Sequence, residues 1–276
     1  GHLRHHALTQ KSVIDTRFMK KVYLLTSLIF LLALACTKTN VDPELVINVD
    51  DEFTLDLWED LESGTPTFNF NFQTIKEYSC EDNTITYKTD PRENIVVITL
   101  EQIDQKSDCA PGQAPATAQV PIEKEEGNFS IRIKLKESII NEGSLTITPE
   151  KYSFNLEEGA VGINLVRNEL NRVPKGTVWG YVSYQSADYK THADGFISEM
   201  EGLSTISNRT LPAGYYGYFN VDDQKNFSVN GKDVPTNNTT HFMKAFSGNI
   251  EELQAKAQSL SDQSEGKAQV SLFWFL

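Results

Sequence analysis

The sequence predicts two domains, an N-terminal all-β immunoglobulin-like sandwich followed by a C-terminal α+β domain of the ferredoxin-like (β-α-β-β-α-β) type. In the first half of the chain, short runs alternate apolar and polar residues with a period of two, and turn residues separate the runs. Near Arg167–Lys175 this pattern changes, and strand-like runs then alternate with helix-like runs. We therefore place the sandwich at residues 45–170 and the α+β domain at residues 174–276.

The predicted strands of the sandwich are short and mostly amphipathic. Ile95–Leu100 differs, because it is apolar throughout and predicts a central strand that is covered on both faces. Turn residues such as Asp90-Pro91 separate the runs, and no helical pattern lies between them, which favours an antiparallel sandwich. The alternating apolar positions are Leu45, Ile47 and Val49; Phe53, Leu55 and Leu57; Phe68, Phe70 and Phe72; and Phe129, Ile131, Ile133 and Leu135.

The second predicted domain combines strands with two helices. Apolar residues from Tyr189 to Leu203 recur at steps of three and four, which is typical of an amphipathic helix. Asn249 and Glu252 have the spacing of a capping box and predict the start of the second helix. The predicted strands are Thr177–Tyr184, Tyr215–Val221, Phe227–Val229 and Lys267–Leu276, and Thr240–Phe246 is predicted to be a helical turn.

Met19–Cys36 has the organisation of a bacterial secretion signal. Lys20 and Lys21 precede an uncharged run of 14 residues, which is shorter than the roughly 20 residues that a membrane-spanning helix needs. The small residues before Cys36 resemble the lipobox of bacterial lipoproteins, so residues 19–35 are interpreted as a lipoprotein signal peptide. A buried core helix followed by a cysteine is the alternative, but the run lacks the helical periodicity of polar residues expected there.

The lipobox resemblance implies cleavage before Cys36 and acylation of this residue, so that residues 36–44 tether the protein to a lipid bilayer. Residues 1–18 are interpreted as upstream sequence or a mis-set start before the initiator Met19. The segment also resembles lipoproteins of the Bacteroidota. Thr37 stands where an aspartate retains enteric lipoproteins in the inner membrane, which favours the outer membrane. No acidic run follows Cys36, which favours the periplasmic face over the cell surface.

The chain is strongly acidic, with 25 Lys and Arg against 38 Asp and Glu and a net charge of −13. Residues 1–35 contain five basic residues and one acidic residue, so the chain from Cys36 onward carries −17. A charge of this sign opposes binding to nucleic acid. The content of 39% hydrophobic residues is sufficient for packed cores and argues against wholesale disorder.

Cys80 and Cys109 are the two cysteines that remain if Cys36 is lipidated. In an oxidising cell envelope, an even pair of cysteines predicts a disulfide bond. A reactive thiol pair is the alternative, but the two residues do not have the CxxC spacing of redox motifs.

The predicted C-terminal strands carry aromatic residues on both faces. Helices cover one face of such a sheet, so the other face either packs against the sandwich or a second copy of the chain, or forms a platform for a ligand. Exposed aromatic patches mark binding sites, and a glycan or a haem-like molecule would suit this one. The residues of the predicted platform are Trp179, Tyr181, Tyr216, Tyr218 and Phe273.

The sequence contains no GxSxG, HExxH, GxGxxG or P-loop pattern, so we predict no catalytic residue, cofactor or metal site. His192 and His241 could bind haem or a metal, but their positions do not favour it. The sequence therefore predicts a non-enzymatic, lipid-anchored envelope protein that acts as a structural or protein-interaction module. The alternative is a lipoprotein that binds a small ligand, and a hydrolase is favoured least.

Overall fold

The computed structural model describes residues 52–106, 108–109, 111–135 and 138–276. Seventeen strands and two α-helices lie in these residues, so the described part of the chain is mainly β. The predicted lipidation site Cys36, the signal peptide, the tether and the first predicted strand, Leu45–Val49, lie outside the described residues.

Ten strands form one mixed sheet, in the order β10-β8-β7-β6-β4-β3-β5-β2-β1-β9. Most neighbours are antiparallel, and the pairs β1/β9, β3/β5 and β4/β6 are parallel. The strands are β1 Phe53–Asp60, β2 Thr67–Ser79, β3 Thr84–Pro91, β4 Ile95–Asp104, β5 Gln113–Pro121, β6 Gly127–Leu135, β7 Ile139–Ile147, β8 Lys151–Leu156, β9 Ile163–Leu165 and β10 Glu169–Asn171.

This sheet curls around its own apolar face. Phe70 on β2 and Phe154 on β8 are separated by several strands in the sheet order, yet their ring centroids are 4.8 Å apart. Both side chains are fully buried, together with the inward-facing residues of β1, β4 and β6. Near the two edges of the sheet, Tyr152 on β8 donates a hydrogen bond of 2.6 Å to Glu59 on β1. One curled sheet therefore encloses the larger core.

The prediction of an immunoglobulin-like sandwich is wrong, because one mixed sheet of ten strands replaces two packed antiparallel sheets. The alternating burial of β1, which runs from Phe53 to Asp60, was predicted correctly. Ile95–Leu100 is also a strand, with Val96, Val97, Ile98 and Leu100 buried. Alternation identifies which face of each strand is buried, but it is the same whether that face meets a second sheet or the far side of its own sheet.

The C-terminal part of the described chain contains two smaller sheets. Four antiparallel strands form one of them, in the order β12-β16-β11-β17, and β13, β14 and β15 form the other. The strands are β11 Thr177–Tyr184, β12 Ile206–Asn208, β13 Gly214–Tyr215, β14 Phe219–Val221, β15 Phe227–Val229, β16 Thr239–Phe246 and β17 Ala268–Phe275. The helices are α1 Lys190–Glu201 and α2 Ile250–Gln263.

Both helices cover the same face of the four-stranded sheet. Ala193, Phe196 and Met200 of α1 pack with Val178 and Val182 of β11 in one buried cluster, which also holds Leu253 and Leu260 of α2. The Asn249 side chain accepts a hydrogen bond of 3.1 Å from the N–H of Glu251 and so caps α2. The two predicted helices and the predicted N-cap are therefore confirmed.

The prediction of a ferredoxin-like β-α-β-β-α-β domain is wrong. Its two middle strands, Tyr215–Val221 and Phe227–Val229, belong to the separate three-stranded sheet. Gly217 has a φ of 78°, which ends β13 and gives two short strands where one was predicted. The predicted helical turn Thr240–Phe246 is instead strand β16. Phe242 and Phe246 are four residues apart, a spacing that places two side chains on one face of a helix or of a strand alike.

The predicted disulfide between Cys80 and Cys109 is confirmed, with Cα atoms 5.7 Å apart. The buried Asn83 holds the same loop, because its side-chain amide donates to the carbonyls of Ser79 and Cys80 and its side-chain oxygen accepts from the N–H of Lys106. The disulfide joins residues 29 positions apart and lies at the end of β2.

Removing this disulfide should destabilise the ten-stranded sheet. For the double variant Cys80→Ala/Cys109→Ala, we expect the free energy of unfolding to fall by about 3 to 4 kcal/mol, because the unfolded chain regains the entropy of an open loop. Urea denaturation of the wild type with and without a reducing agent, and of the variant, measures this effect. A midpoint that is unchanged in both comparisons would contradict the expectation.

Candidate functional site

The structure brings the five predicted platform residues together in an aromatic cluster. The Trp179 ring lies 5.4 Å from that of Tyr218 and 6.2 Å from that of Phe273, measured between ring centroids. Tyr216 and Trp179 both contact Phe219, at 4.9 and 5.6 Å. Tyr181 belongs to the same buried cluster and also lies beside His241, at 6.1 Å. The predicted residues thus lie close together, and their role as a platform for a ligand stays a prediction.

Most of this aromatic face is covered. Trp179 is 2% exposed because the sheet β13–β15 packs over it, and Tyr216, which lies between β13 and β14, is itself 2% exposed in the same buried cluster. The turn after β1 covers another part, since the N–H of Leu61 donates a hydrogen bond of 3.1 Å to the Tyr218 hydroxyl and the Trp58 ring lies 4.7 Å from the Tyr218 ring. Burial raises the pKa of Tyr216 and, with nearby carboxylates adding to the effect, that of Tyr218, each to about 12.

An open cleft remains where the cluster reaches the edge of the four-stranded sheet. Its volume is about 490 Å³, and it lies between strand β17 and the turn that follows β1. Phe273 and Trp274 on β17 are each 40% exposed, although both are large apolar side chains. Glu62 is the charged residue among those that line the cleft. We call this site the edge cleft; its main lining residues are Leu61, Gly64, Trp179, Tyr218, Phe273 and Trp274.

A second, polar pocket of about 660 Å³ lies at one end of the ten-stranded sheet, where Tyr152 and Arg172 line it. Both side chains bond one carboxylate oxygen of Glu59, at 2.6 Å from the tyrosine and 3.1 Å from the arginine. The Glu59 side chain is 2% exposed, and its second oxygen has no hydrogen-bond partner among the described residues. Burial, together with the Glu59 charge, raises the pKa of Tyr152 strongly, so this hydroxyl acts as a hydrogen-bond donor.

Ser264 is a buried polar residue outside these two pockets. The Ser264 hydroxyl accepts from the N–H of Ala268 at 3.0 Å and donates to its carbonyl at 3.2 Å, so it joins α2 to β17. His192 lies beside Tyr189 on helix α1. In the part of the chain that the structure describes, no three His, Cys, Asp or Glu side chains are grouped as a metal site.

His241 makes stability depend on pH. Its Nδ1 accepts a hydrogen bond of 3.2 Å from the N–H of Val229, and burial lowers the pKa of the ring below its ordinary 6.5. The unfolded chain therefore binds a proton more readily than the folded one, and folding stability contributed by His241 is lost as the pH falls below about 6.5. Urea denaturation at pH 8 and pH 5.5 should show a smaller loss for His241→Asn, which keeps an acceptor, than for the wild type. An equal loss in both proteins would contradict this expectation.

Three parts of these sites were missed by sequence reasoning. Trp58 and Leu61 lie far from the C-terminal strands in sequence, and no local pattern predicts that they cover the Tyr218 ring. Trp274 was not among the predicted platform residues, and its exposure follows from the edge position of β17. Glu59 stands at an inward position of β1, after Leu55 and Leu57, and a charge in that register could have signalled a buried polar network.

Neither of the two described helices is long and apolar enough to cross a membrane. Comparison of the chain with models of known protein families, with curated proteins and with solved structures gave no match in any of the three.

Proposed function

We propose that this chain is a lipid-anchored protein of the bacterial cell envelope that acts without catalysis, by binding another envelope protein. The observation that supports protein binding most directly is the edge cleft, where Phe273 and Trp274 are each 40% exposed beside a buried aromatic cluster. Exposed aromatic residues next to a well-packed apolar centre are typical of protein interfaces.

The anchor rests on the resemblance of Met19–Cys36 to a lipoprotein signal. Expressed in a bacterium, the wild-type chain should be recovered in the membrane fraction, and Cys36→Ala should be recovered in the soluble fraction. Incorporation of labelled palmitate into the wild type, and not into the variant, measures acylation directly. Equal membrane recovery of both proteins would contradict the lipid anchor.

Protein binding can be tested by site-specific photo-crosslinking in the cell envelope. A photoreactive amino acid in place of Phe273 should give a discrete crosslinked protein, because this position lies at the edge cleft. Ile140 on β7 is the matched control, since it is an apolar residue that is 54% exposed at another surface. Absence of a Phe273-specific product would contradict the proposal.

A small ligand, such as a glycan or a haem-like molecule, is the second candidate for the same cleft. The volume of about 490 Å³ lies in the range of small-molecule sites, and aromatic rings line the cleft. The closure of Trp179 and Tyr216 leaves a much smaller platform than the sequence suggested, which favours the protein partner. A saturable change in tryptophan fluorescence on adding envelope glycans or haem, lost in Phe273→Ala, would instead favour the small ligand.

A further inference from the structure

Strand β17 is an edge strand of a kind that folded proteins normally protect. It has eight residues, AQVSLFWF, with no charged side chain and no proline. No strand among the described residues pairs with its outer edge. By contrast, the edge strands β9, β10 and β12 each have three residues. Proteins shorten, charge or cover sheet edges to prevent unwanted pairing, so a long uncharged edge is unusual unless another chain binds there.

The backbone of β17 presents a row of hydrogen-bonding groups to that edge. The N–H of Gln185 donates to the carbonyl of Lys267, which establishes which residues of β17 face β11. The backbone N–H and C=O groups of successive residues point to opposite edges of a strand. Since those of Lys267 point towards β11, those of Val270, Leu272 and Trp274 point away from it. The groups of Ala268, which would continue this row, are already bonded to the Ser264 hydroxyl. Three consecutive outward positions are therefore ready to pair with an added strand.

Side chains beside this row can hold those of an incoming strand. Phe273 faces the aromatic cluster, whereas Trp274 lies on the opposite face of the sheet, where the two helices pack. An added strand would contact both exposed rings at once, with alternate side chains on either face. On the side of Phe273, the edge cleft is large enough for an apolar side chain.

The charge around the cleft indicates the chemistry of the partner. Glu62 lines the cleft, and the charges of Asp60 and Glu62 add to the rise in the pKa of Tyr218, part of the cleft wall, that burial mainly causes. The nearby Glu59 is paired with Arg172. The whole chain carries a net charge of −13. This field attracts cationic side chains, and it opposes the approach of a second copy of the same chain.

We propose that β17 binds an extended segment of a partner protein as an additional strand, and that this segment alternates apolar side chains with Lys or Arg. This inference rests on the proposed function, because it specifies how the edge cleft binds protein. Backbone hydrogen bonds to Val270, Leu272 and Trp274 hold the added strand. An apolar side chain in the edge cleft and cationic side chains near Glu62 determine which sequences bind. Binding is therefore sensitive to both peptide N-methylation and charge.

The test uses the full chain in detergent and a synthetic peptide in which lysine alternates with valine and phenylalanine. Tryptophan fluorescence gives the dissociation constant. Two N-methylated versions carry the methyl groups on alternate amides, one on the lysines and one on the apolar residues. In a paired strand alternate amides face β17, so we expect one version to bind at least about tenfold more weakly than the other. A peptide with glutamate in place of lysine should bind several-fold more weakly at low salt.

The variant Leu272→Pro tests the same pairing from the protein side. Proline at position 272 removes the outward N–H group but keeps the backbone hydrogen bonds between β17 and β11. Edge strands tolerate proline at such positions. Leu272→Val is the matched control, because it also shortens the side chain but retains the N–H group. We expect at least about tenfold weaker peptide binding for Leu272→Pro and a change of less than about threefold for Leu272→Val.

Each other outcome overturns the proposal in a recognisable way. If both N-methylated peptides bind like the parent peptide, side chains alone make the contact, and the crosslinking result at Phe273 still decides whether the cleft binds protein. If the glutamate peptide binds equally well, the preference for cations is wrong. If the full chain binds no peptide but forms dimers that Leu272→Pro abolishes, a second copy occupies the edge. Absence of any binding or dimer rejects strand addition at β17.

Discussion

Replacing Arg172 by methionine is expected to lower the free energy of unfolding by about 3 kcal/mol. The arginine Nε lies 3.1 Å from Glu59, whose side chain is 2% exposed, and its Nη1 donates to the carbonyl of Thr148 at 3.0 Å. Methionine retains much of the side-chain length but leaves the buried carboxylate with Tyr152 as its remaining hydrogen-bond donor. Urea denaturation at pH 7 measures the change.

Two further variants distinguish the effect of leaving the Glu59 carboxylate without its arginine from the general effect of losing an arginine. Arg132→Met removes a pair with Glu142 in which both side chains are 39% exposed or more, so we expect a loss below about 1 kcal/mol. In Glu59→Gln/Arg172→Met no buried carboxylate remains, and part of the stability should return relative to Arg172→Met alone. If Arg172→Met and Arg132→Met lose the same stability, the Glu59 cluster does not contribute as argued.

The Glu59 cluster also shows why the closure of the ten-stranded sheet could not be predicted. Glu59 lies on β1, and its partners lie 93 and 113 residues further along the chain. Local patterns identified β1, β4, α1, α2 and the disulfide, because each depends on residue spacing within a short segment or on a pair of cysteines. The choice between a sandwich and one curled sheet depends on contacts between distant strands, which alternation does not encode.

The sequence predicted which aromatic residues lie near each other in the candidate site, but it did not predict which of them are exposed. Trp179, Tyr216, Tyr218 and Phe273 do cluster, with Trp179 and Phe273 on neighbouring strands of the four-stranded sheet and Tyr216 and Tyr218 between β13 and β14. What the sequence could not show is that the short strands β13–β15 fold back as a cover. The open part of the site consequently depends on the edge position of β17, which is set by strand order and not by local sequence.

Gly180 permits the close approach of β17 that creates this edge, and Gly180→Ala should therefore have a large effect. A Cβ atom at this position would lie 2.0 Å from the backbone oxygen of Ser271 on β17 and 2.9 Å from the ring of Phe242. The ring can move, but the Ser271 oxygen belongs to the strand backbone, so β17 must shift away from β11. We expect a loss of about 3 kcal/mol in the free energy of unfolding, measured by urea denaturation.

Gly195→Ala is the matched control for this substitution. It lies in helix α1, and nothing within 4 Å would meet the added Cβ atom, so we expect a gain of about 0.5 to 1 kcal/mol from the higher helix propensity of alanine. Because the shift of β17 alters the outward row at Val270, Leu272 and Trp274, Gly180→Ala should also weaken binding of the lysine-containing peptide, whereas Gly195→Ala should not. A Gly180→Ala protein that is as stable as the wild type and binds the peptide equally well would show that β17 tolerates displacement, and that its close packing on β11 is not what shapes the edge cleft.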